Sequence, residues 1–185
     1  MIDCRVRLNN REHTSKGESM MRLIRRAGPG VICLTILAAQ PALAQTQEQL
    51  DWCNGLKGAT PDQIIGGCTA VIQSGNQDTR NRSLVFNKRG SAHNNKGERK
   101  EALADFDQAI RLYPSDGGYF YNRGRTYFLM DQYGRAIADL DQAIRLNTNN
   151  AEALYVRGLA KQKIGNAGAN ADLVRAKQLN PQLGK

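Results

Sequence analysis

The sequence contains few of the residues from which most enzyme active sites are built. It has two histidines, one tryptophan and four cysteines in 185 residues, whereas nucleophilic hydrolysis needs a base beside the attacking group and a structural zinc ion needs four ligands. The glycine-rich patterns GxxxxGK and GxGxxG, which bind phosphates and dinucleotides, are absent. We therefore expect a protein that is not an enzyme, with no catalytic residues, no metal site and no cofactor.

A block of like charges is also missing. The formal net charge of the whole chain is +9, but from residue 45 onward 19 Lys and Arg stand against 14 Asp and Glu, which leaves +5. These charges are spread along the chain, whereas nucleic-acid-binding domains concentrate basic residues in a patch or stripe. We therefore expect no nucleic-acid partner.

The sequence lacks an apolar run long enough to span a membrane, which needs about 20 residues in a helix. Its apolar stretch, centred on residues 31–39, follows a basic segment at residues 21–26 and is bounded by Gly28-Pro29-Gly30 before it and Pro41 after it. A small-residue pattern at residues 42–44 comes next. Basic segment, short apolar run and small residues in this order predict a secretory signal peptide.

We expect the leader to occupy residues 1–44. Its signal peptide covers about residues 20–44 and is cleaved after Ala44, and a polar extension at residues 1–19 precedes it. A retained membrane anchor is the alternative. With cleavage, the protein is expected in the periplasm of a Gram-negative type envelope, or secreted, without a membrane span. The true start remains open among Met1, Met20 and Met21.

Two cysteines, Cys53 and Cys68, lie beyond the predicted leader. An even number of cysteines in an exported protein indicates a disulfide, because that compartment is oxidising. We predict a bridge between them, which would close a loop of about 15 residues and stabilise the fold by about 3 kcal/mol in the chain-entropy model. A metal site is the competing interpretation, but beyond the leader the only histidine that could join them is His93.

The sequence does contain an internal repeat. The nonapeptides ADFDQAIRL, at residues 104–112, and ADLDQAIRL, at residues 138–146, differ at one position and lie 34 residues apart. An Arg-Gly pair recurs at the same interval, and each period holds two helical patterns separated by a polar or glycine-containing break. We place the three units at residues 83–116, 117–150 and 151–185.

These units resemble the tetratricopeptide repeat family, whose 34-residue pattern has a large residue at position 4, Gly at 8, Tyr at 11, Ala at 20, an aromatic residue at 24, Ala at 27 and Pro at 32. The first unit has Phe86, Gly90, His93, Ala102, Phe106, Ala109 and Pro114. The second has Phe120, Gly124, Tyr127, Ala136, Leu140, Ala143 and, as a departure, Thr148. The third, one residue shorter in its turn, has Leu154, Gly158, Lys161, Ala169, Leu173, Ala176 and Pro181. The resemblance implies an all-α solenoid of helical hairpins.

Residues 45–82 are interpreted as an N-terminal cap in the form of a degenerate half-repeat. Thr60, the proline after it and Gln63 carry the signals of a helix start, namely an N-cap, a proline at the first helical position and a capping-box glutamine. In the helix that follows, Cys68 aligns with the position of Phe106. The disulfide would then replace a full hydrophobic interface.

Small and charged residues recur at matched positions of the units. Small residues such as Gly124 and Ala136 would let the two helices of a hairpin approach to about 8–10 Å. We also predict ion pairs within the hairpins, structural rather than catalytic, each worth about 0.5 kcal/mol if exposed. Acidic residues two apart, as in Asp105 with Asp107, face different directions on a helix and make poor acid–base pairs. The predicted pairs join Arg89, Arg123 and Arg157 to Asp105, Asp139 and Asp172.

The family resemblance implies a concave groove lined by the first helix of each unit, where a peptide or a partner helix would bind. Tyr121, Phe128 and Tyr155 with Arg125 form an aromatic and cationic strip of the kind that dominates protein interfaces. The alternative is that these aromatic residues pack against neighbouring repeats. The candidate binding residues are Asn87, Ser91, Tyr121, Asn122, Arg125, Phe128, Tyr155 and Leu159.

Some members of the family bind chaperone C-termini through a basic carboxylate clamp. Here only Asn122 matches a clamp position, because Asn87, Glu152 and Val156 stand where the cations should be. We therefore expect another protein or peptide partner. The alternatives are a structural module that self-associates through its C-terminal repeat and, in a third class, an envelope enzyme with an unrecognised site.

Overall fold

The computed structural model describes residues 47–184, and every regular element within them is helical. The first helix, α1, covers residues 47–53, and a 3-10 turn follows at Leu56–Gly58. None of the helices in this part of the chain has both the length and the apolar composition needed to cross a bilayer. The longer helices are α2 (Pro61–Ser74), α3 (Thr79–Asn95), α4 (Arg99–Leu112), α5 (Gly117–Leu129), α6 (Tyr133–Leu146), α7 (Ala151–Lys163) and α8 (Ala169–Leu179).

Each long helix packs against its neighbours in the chain, most extensively α3 with α4, α5 with α6, and α7 with α8. Contacts also join α3 to α5 and α5 to α7, so the first helices of successive hairpins lie side by side. Repeating units that contact chiefly their neighbours form a solenoid. The predicted all-α solenoid of helical hairpins is therefore confirmed.

Helix α2 and the first helix of each hairpin begin at side chains that bond the free N–H groups of their first turn. The capping box of α2 forms as predicted, with the Gln63 N–H donating to Thr60 Oγ1 at 3.3 Å and the Thr60 N–H donating to Gln63 Oε1 at 2.9 Å. The first helix of each later hairpin starts after an Asp or Asn that the sequence analysis did not single out. These N-caps are Asp78, Asp116 and Asn150.

The two helices of each hairpin approach closely because small residues meet where they cross. A methyl group built on Gly124 would lie 3.0 Å from Leu140 Cγ and 3.2 Å from the backbone oxygen of Ala136. Both neighbours are fully buried, so neither has room to move away. The other hairpins repeat the contact, with Gly90 against Phe106 at 2.9 Å and Gly158 against Leu173 at 2.8 Å.

The N-terminal cap is held by a different set of contacts. Cys53 and Cys68 form the predicted disulfide, and both are buried. Helices α1 and α2 touch at Gly67, where an added methyl group would lie 2.5 Å from the backbone oxygen of Gln49 and 2.9 Å from the backbone nitrogen of Cys53. Val85 of α3 packs against the buried cluster of Cys53, Cys68 and Val71, so this cluster also joins the cap to the first hairpin.

Candidate functional site

Asn87 on α3 and Asn122 on α5 meet across the boundary between the first two hairpins. Asn122 Nδ2 donates a hydrogen bond to Asn87 Oδ1 at 2.8 Å, and both side chains are half-buried. Ser91 lies one turn further along α3, and its hydroxyl donates to the backbone oxygen of Asn87 at 3.0 Å. The structure thus brings three of the candidate binding residues together, and their role in binding stays a prediction.

The aromatic candidates on α5 are anchored in the core. Tyr121 and Phe128 are half-buried and pack against a buried cluster formed by α6 and α7. The Phe128 ring also lies 5.7 Å from the Tyr133 ring, at an interplanar angle of 59°. Each of these two side chains is therefore partly buried by packing against a neighbouring repeat. The buried members of the cluster are Ala136, Leu140, Ala143, Ala153 and Ala160.

Arg125 lies one turn beyond Tyr121 on α5 and is exposed. It makes no ion pair or hydrogen bond with any residue that the structure describes. The pKa of Tyr121 is raised by burial, against the opposing effect of the Arg125 charge and with a smaller contribution from Glu152. Arg125 is therefore close enough to act on the phenol electrostatically while its own charge remains available to a ligand.

The last two candidates, Tyr155 and Leu159, are half-buried on α7. Tyr155 is covered by the turn that follows α8: a methyl group built on Gly184 would lie 2.7 Å from the Tyr155 hydroxyl oxygen. Gly184 has φ +80° and fits there because it has no side chain. The sequence analysis missed this contact. Because of it, a smaller fraction of the Tyr155 side chain than of the Arg125 side chain is accessible to a ligand.

A second link between α3 and α5 involves residues that the sequence analysis did not single out. Tyr119 is only 2% exposed, and its hydroxyl lies 2.9 Å from the Ser83 hydroxyl. Burial is the main cause of the raised pKa of Tyr119. The pair satisfies both buried hydroxyls and, together with the amide pair, fixes α5 relative to α3.

The predicted Arg–Asp pairs form, and they extend between hairpins as well as within them. Arg123 bonds both carboxylate oxygens of Asp139 in its own hairpin, with distances of 2.7 Å, and Asp107 of the preceding hairpin at 2.7 Å. Asp105 faces the other way and bonds Arg89. The two carboxylates of each nonapeptide therefore bind successive arginines, in agreement with their rejection as an acid–base pair.

This ladder of ion pairs changes at both ends. Arg157 repeats the central arrangement, bonding Asp172 and Asp141. At the N-terminal end Arg89 bonds Asp105. Its second partner is the hydroxyl of Thr69 in the cap, at 3.0 Å, whereas Arg123 and Arg157 each bond a second carboxylate. At the C-terminal end the equivalent of Asp107 and Asp141 is Val174, which is 57% exposed. The last hairpin therefore has no carboxylate at the position that bonds the next arginine in the other hairpins.

His93 packs in the first hairpin and is half-buried. Its Nδ1 atom lies 2.6 Å from Glu98 Oε2, and its Nε2 atom lies 4.0 Å from Asp105 Oδ2. Lys96 also bonds Glu98 and reaches Asp62 of the cap. Among the described residues, no three His, Cys, Asp or Glu side chains are arranged to hold a metal ion.

Fold and site together define a helical-repeat scaffold whose first helices share one surface. A family model described as "Tetratricopeptide repeat" matches residues 85–116, and one described as "TPR repeat" matches residues 124–165. With the solenoid fold, these matches show that the chain belongs to the tetratricopeptide repeat family. No curated protein matches the chain significantly in sequence.

Solved structures of similar fold are known. A MamA structure is 21% identical, covers 79% of this chain and 78% of its own, and gives a TM-score of 0.64. The Arabidopsis OM64 TPR domain is 24% identical, covers 57% of this chain and 88% of its own, and gives 0.56. The first TPR of Spaghetti (RPAP3), bound to the HSP90 peptide SRMEEVD, is 25% identical, covers 56% of this chain and 82% of its own, and gives 0.52.

Proposed function

We propose that this chain is a protein-interaction module that binds another protein through the surface formed by α3, α5 and α7, which we call the groove. One observation carries the proposal: hydrogen-bonding groups and a positive charge without partners among the described residues lie near each other on this surface. The amide pair of Asn87 and Asn122 bridges two helices, and Arg125 lies on the same helix as Asn122 without a partner among the described residues. Partly exposed aromatic residues flank them, as at protein interfaces.

The comparisons support binding of this general kind, since the Spaghetti TPR of similar fold was solved with a peptide. The sequence of this chain favours a different ligand from that peptide. Asn87, Glu152 and Val156 occupy the positions where the chaperone-binding clamp has cations. An uncharged amide, a carboxylate and an apolar side chain do not attract a terminal carboxylate, so we propose a partner other than a chaperone tail.

We further propose that the protein is exported and works in the cell envelope. The disulfide between Cys53 and Cys68 supports this, because such bridges persist in oxidising compartments. N-terminal sequencing of the protein recovered from the periplasm tests the proposal. A chain that begins at Gln45 agrees with it, and recovery only from the cytoplasm with both thiols free contradicts it.

The groove is tested by cross-linking in cells that express the chain. The variant Tyr121→Ala, Arg125→Ala and Tyr155→Ala is expected to lose the partners that the wild type captures. The matched control, Lys100→Ala, Arg111→Ala and Arg145→Ala, removes exposed cations from α4 and α6 and should keep them. Circular dichroism checks folding, and Arg125→Ala alone serves as a variant that disturbs no packing. Equal recovery of every partner by all variants contradicts the groove.

Self-association through α8 is a second candidate. Val174 exposes 57% of its surface where the other hairpins have an acidic residue that binds the next arginine. A second copy could cover this apolar side chain. Light scattering at high protein concentration tests it: a dimer that Val174→Asp dissociates supports the idea, and a monomer at every concentration rejects it.

A further inference from the structure

The ladder of ion pairs shows which surface of one hairpin meets the next. Asp107 of α4 bonds Arg123 of the following hairpin, and Asp141 of α6 bonds Arg157 in the same way. The position that these two aspartates share therefore faces the first helix of the next hairpin. On α8 this position is Val174, which is 57% exposed, and no further hairpin follows among the described residues. Val174 thus lies on the outward surface of the last hairpin.

The rest of this outward surface is polar. Asn170 and Lys177 of α8 stand where α6 has Ile137 and Ile144, which pack against the buried cluster that α6 shares with α7. Both replacements are exposed. A partner on this surface would therefore meet one apolar side chain within a polar rim, the arrangement found at protein interfaces.

At the other end of the solenoid, Trp52 takes the place of the ladder arginine. In each hairpin that arginine directly precedes the glycine that lies against the second helix. In the cap Cys53, which is bridged to Cys68, takes the place of this glycine, and Trp52 precedes it. Gly67 stands where the hairpins have the aspartate that bonds the arginine, and a methyl group built on Gly67 would lie 3.0 Å from Trp52 Cβ. The ladder position of the cap is therefore aromatic and half-buried.

Val174 and Trp52 thus replace an aspartate and an arginine that bond each other between successive hairpins. We propose that a second copy of the chain docks end to end, with the cap of one copy on α8 of the other and Trp52 against Val174. The contact would continue the stacking of the hairpins, with apolar packing in place of the ion pair. This inference deepens the second candidate function, self-association through α8, and rests on it.

The charges of the two ends favour this arrangement. Residues 47–78 contain four Asp and Glu against one Lys, whereas residues 151–184 contain five Lys and Arg against two Asp and Glu. Arg175 and Lys177 are exposed on either side of the charged rim near Val174. Opposite charges on two surfaces speed their association and fix their orientation. Two caps or two α8 helices facing each other would instead bring like charges together.

Trp52 is the only tryptophan of the chain, so its fluorescence reports on the contact directly. When the full chain is concentrated, light scattering should show dimers and then longer assemblies, because a contact between two different surfaces leaves one of each free. Over the same concentrations the tryptophan emission should shift to the blue and acrylamide should quench it less. Salt should weaken the association, because it screens the charges.

Two variants identify the two surfaces. Val174→Asp would bury a carboxylate without a cation, and Trp52→Arg would bring a further positive charge to the basic surface of α8. Each should weaken self-association at least about tenfold. The control Leu84→Asp changes an exposed apolar residue of α3 and should associate as the wild type does. The emission shift should be absent in Val174→Asp, a test that leaves Trp52 and the cap unchanged.

Mixing the two variants gives the sharpest result. The intact cap of Val174→Asp can still meet the intact α8 of Trp52→Arg, so an equimolar mixture should form one-to-one dimers and nothing longer. Only the Val174→Asp copies contain tryptophan, and their emission should shift on mixing. Circular dichroism checks that both variants fold.

The outcomes separate this inference from self-association in general. If Trp52→Arg associates by itself as strongly as the wild type while Val174→Asp does not, two α8 helices contact each other; the end-to-end contact is overturned and self-association stands. A wild-type assembly whose tryptophan emission never shifts also overturns the end-to-end contact. Wild-type monomers at every concentration overturn both, and a tryptophan that is then protected from acrylamide is covered by another part of its own chain.

Discussion

The N-terminal cap and the three hairpins hold similar helices together by different means. In each hairpin a glycine of the first helix lies against the second helix, and in the second and third hairpins an arginine bonds the carboxylates of two successive second helices. In the cap the close contact involves Gly67 of the second helix, and the covalent bond between Cys53 and Cys68 joins the pair. The cap has no arginine in the ladder and supplies only Thr69.

The difference shows that a terminal unit has to replace the packing that an internal hairpin gains from a second neighbour. An internal hairpin is stabilised from both sides, because each of its faces packs on a neighbour. The cap has only one long helix of its own, α2. Its other helix, α1, covers just residues 47–53 among the described residues. A disulfide restrains such a short unit without requiring more buried surface.

The largest effect is expected from removing the central arginine of the ladder. Arg123→Ala leaves Asp107 and Asp139 close together without their cation, and Asp139 is buried. We expect a loss of about 4 kcal/mol in the free energy of unfolding, as when one partner of a buried ion pair is removed. Urea unfolding measures it. Arg111→Ala, an exposed control, should change stability by less than about 0.5 kcal/mol, and an equally small loss for Arg123→Ala would show that the ladder is not stabilising.

Next in size is the removal of the bridge from the cap. The double variant Cys53→Ala and Cys68→Ala should lose about 3 kcal/mol. Amide hydrogen exchange should show the loss of protection in α1 and α2 and little change in α5 to α8, because the hairpins do not depend on the bridge. Reduction of the wild type should give the same pattern. Uniform loss of protection along the chain would mean that cap and hairpins are stabilised together.

Asp172 should make the C-terminal hairpin sensitive to acid. Burial disfavours its charge, but hydrogen bonds from Arg157 and Lys161 outweigh burial and lower its pKa. The unfolded chain then binds this proton at a higher pH than the folded one, so the stabilisation is complete above about pH 4 and is lost as the pH falls through the folded pKa.

Asp172→Asn should therefore cost about 2 kcal/mol at pH 7, and its stability should fall less steeply than that of the wild type below pH 4. Urea midpoints measured between pH 2 and pH 7 give this comparison. A slope unchanged by Asp172→Asn would exclude this residue as the acid-sensitive group.

The smallest effect should come from giving the cap the carboxylate that it lacks. Thr69→Asp places an acceptor with a full charge beside Arg89, which now bonds the Thr69 hydroxyl, and should stabilise the protein by about 0.5 kcal/mol. Thr69→Asn has the same shape without the charge and should give no gain. Thermal unfolding of the two variants side by side shows whether the cap can be joined to the ladder, and equal stabilities would show that it cannot.

The sequence predicts well those features that depend on spacing within one hairpin. Gly124 opposite Ala136, the capping box at Thr60 and the pairing of Arg123 with Asp139 follow from matched positions along the helices. The bond from Arg123 to Asp107 does not, because it depends on how one hairpin is rotated against the next. The nonapeptide nevertheless contained the signal, since both of its aspartates are present in its two copies.

The groove shows the same limit. The family pattern places Asn87 and Asn122 on one surface, but their hydrogen bond depends on the stagger between α3 and α5. The contact of Gly184 with Tyr155 lies beyond the last periodic position, where no repeat rule applies. Tyr119 and Ser83 occupy positions that the family pattern leaves open, so their buried pair could be found only in the structure.

The central claim, that α3 and α5 together bind the ligand, is tested most directly by nuclear magnetic resonance of the side-chain amides. A peptide selected on the full chain is titrated into isotope-labelled protein while the Asn87, Asn122 and Asn170 amide signals are followed. The account predicts that the first two signals shift and exchange more slowly, with no change at Asn170. Shifts confined to α8 or to the cap, with Asn87 and Asn122 unaffected, would contradict it.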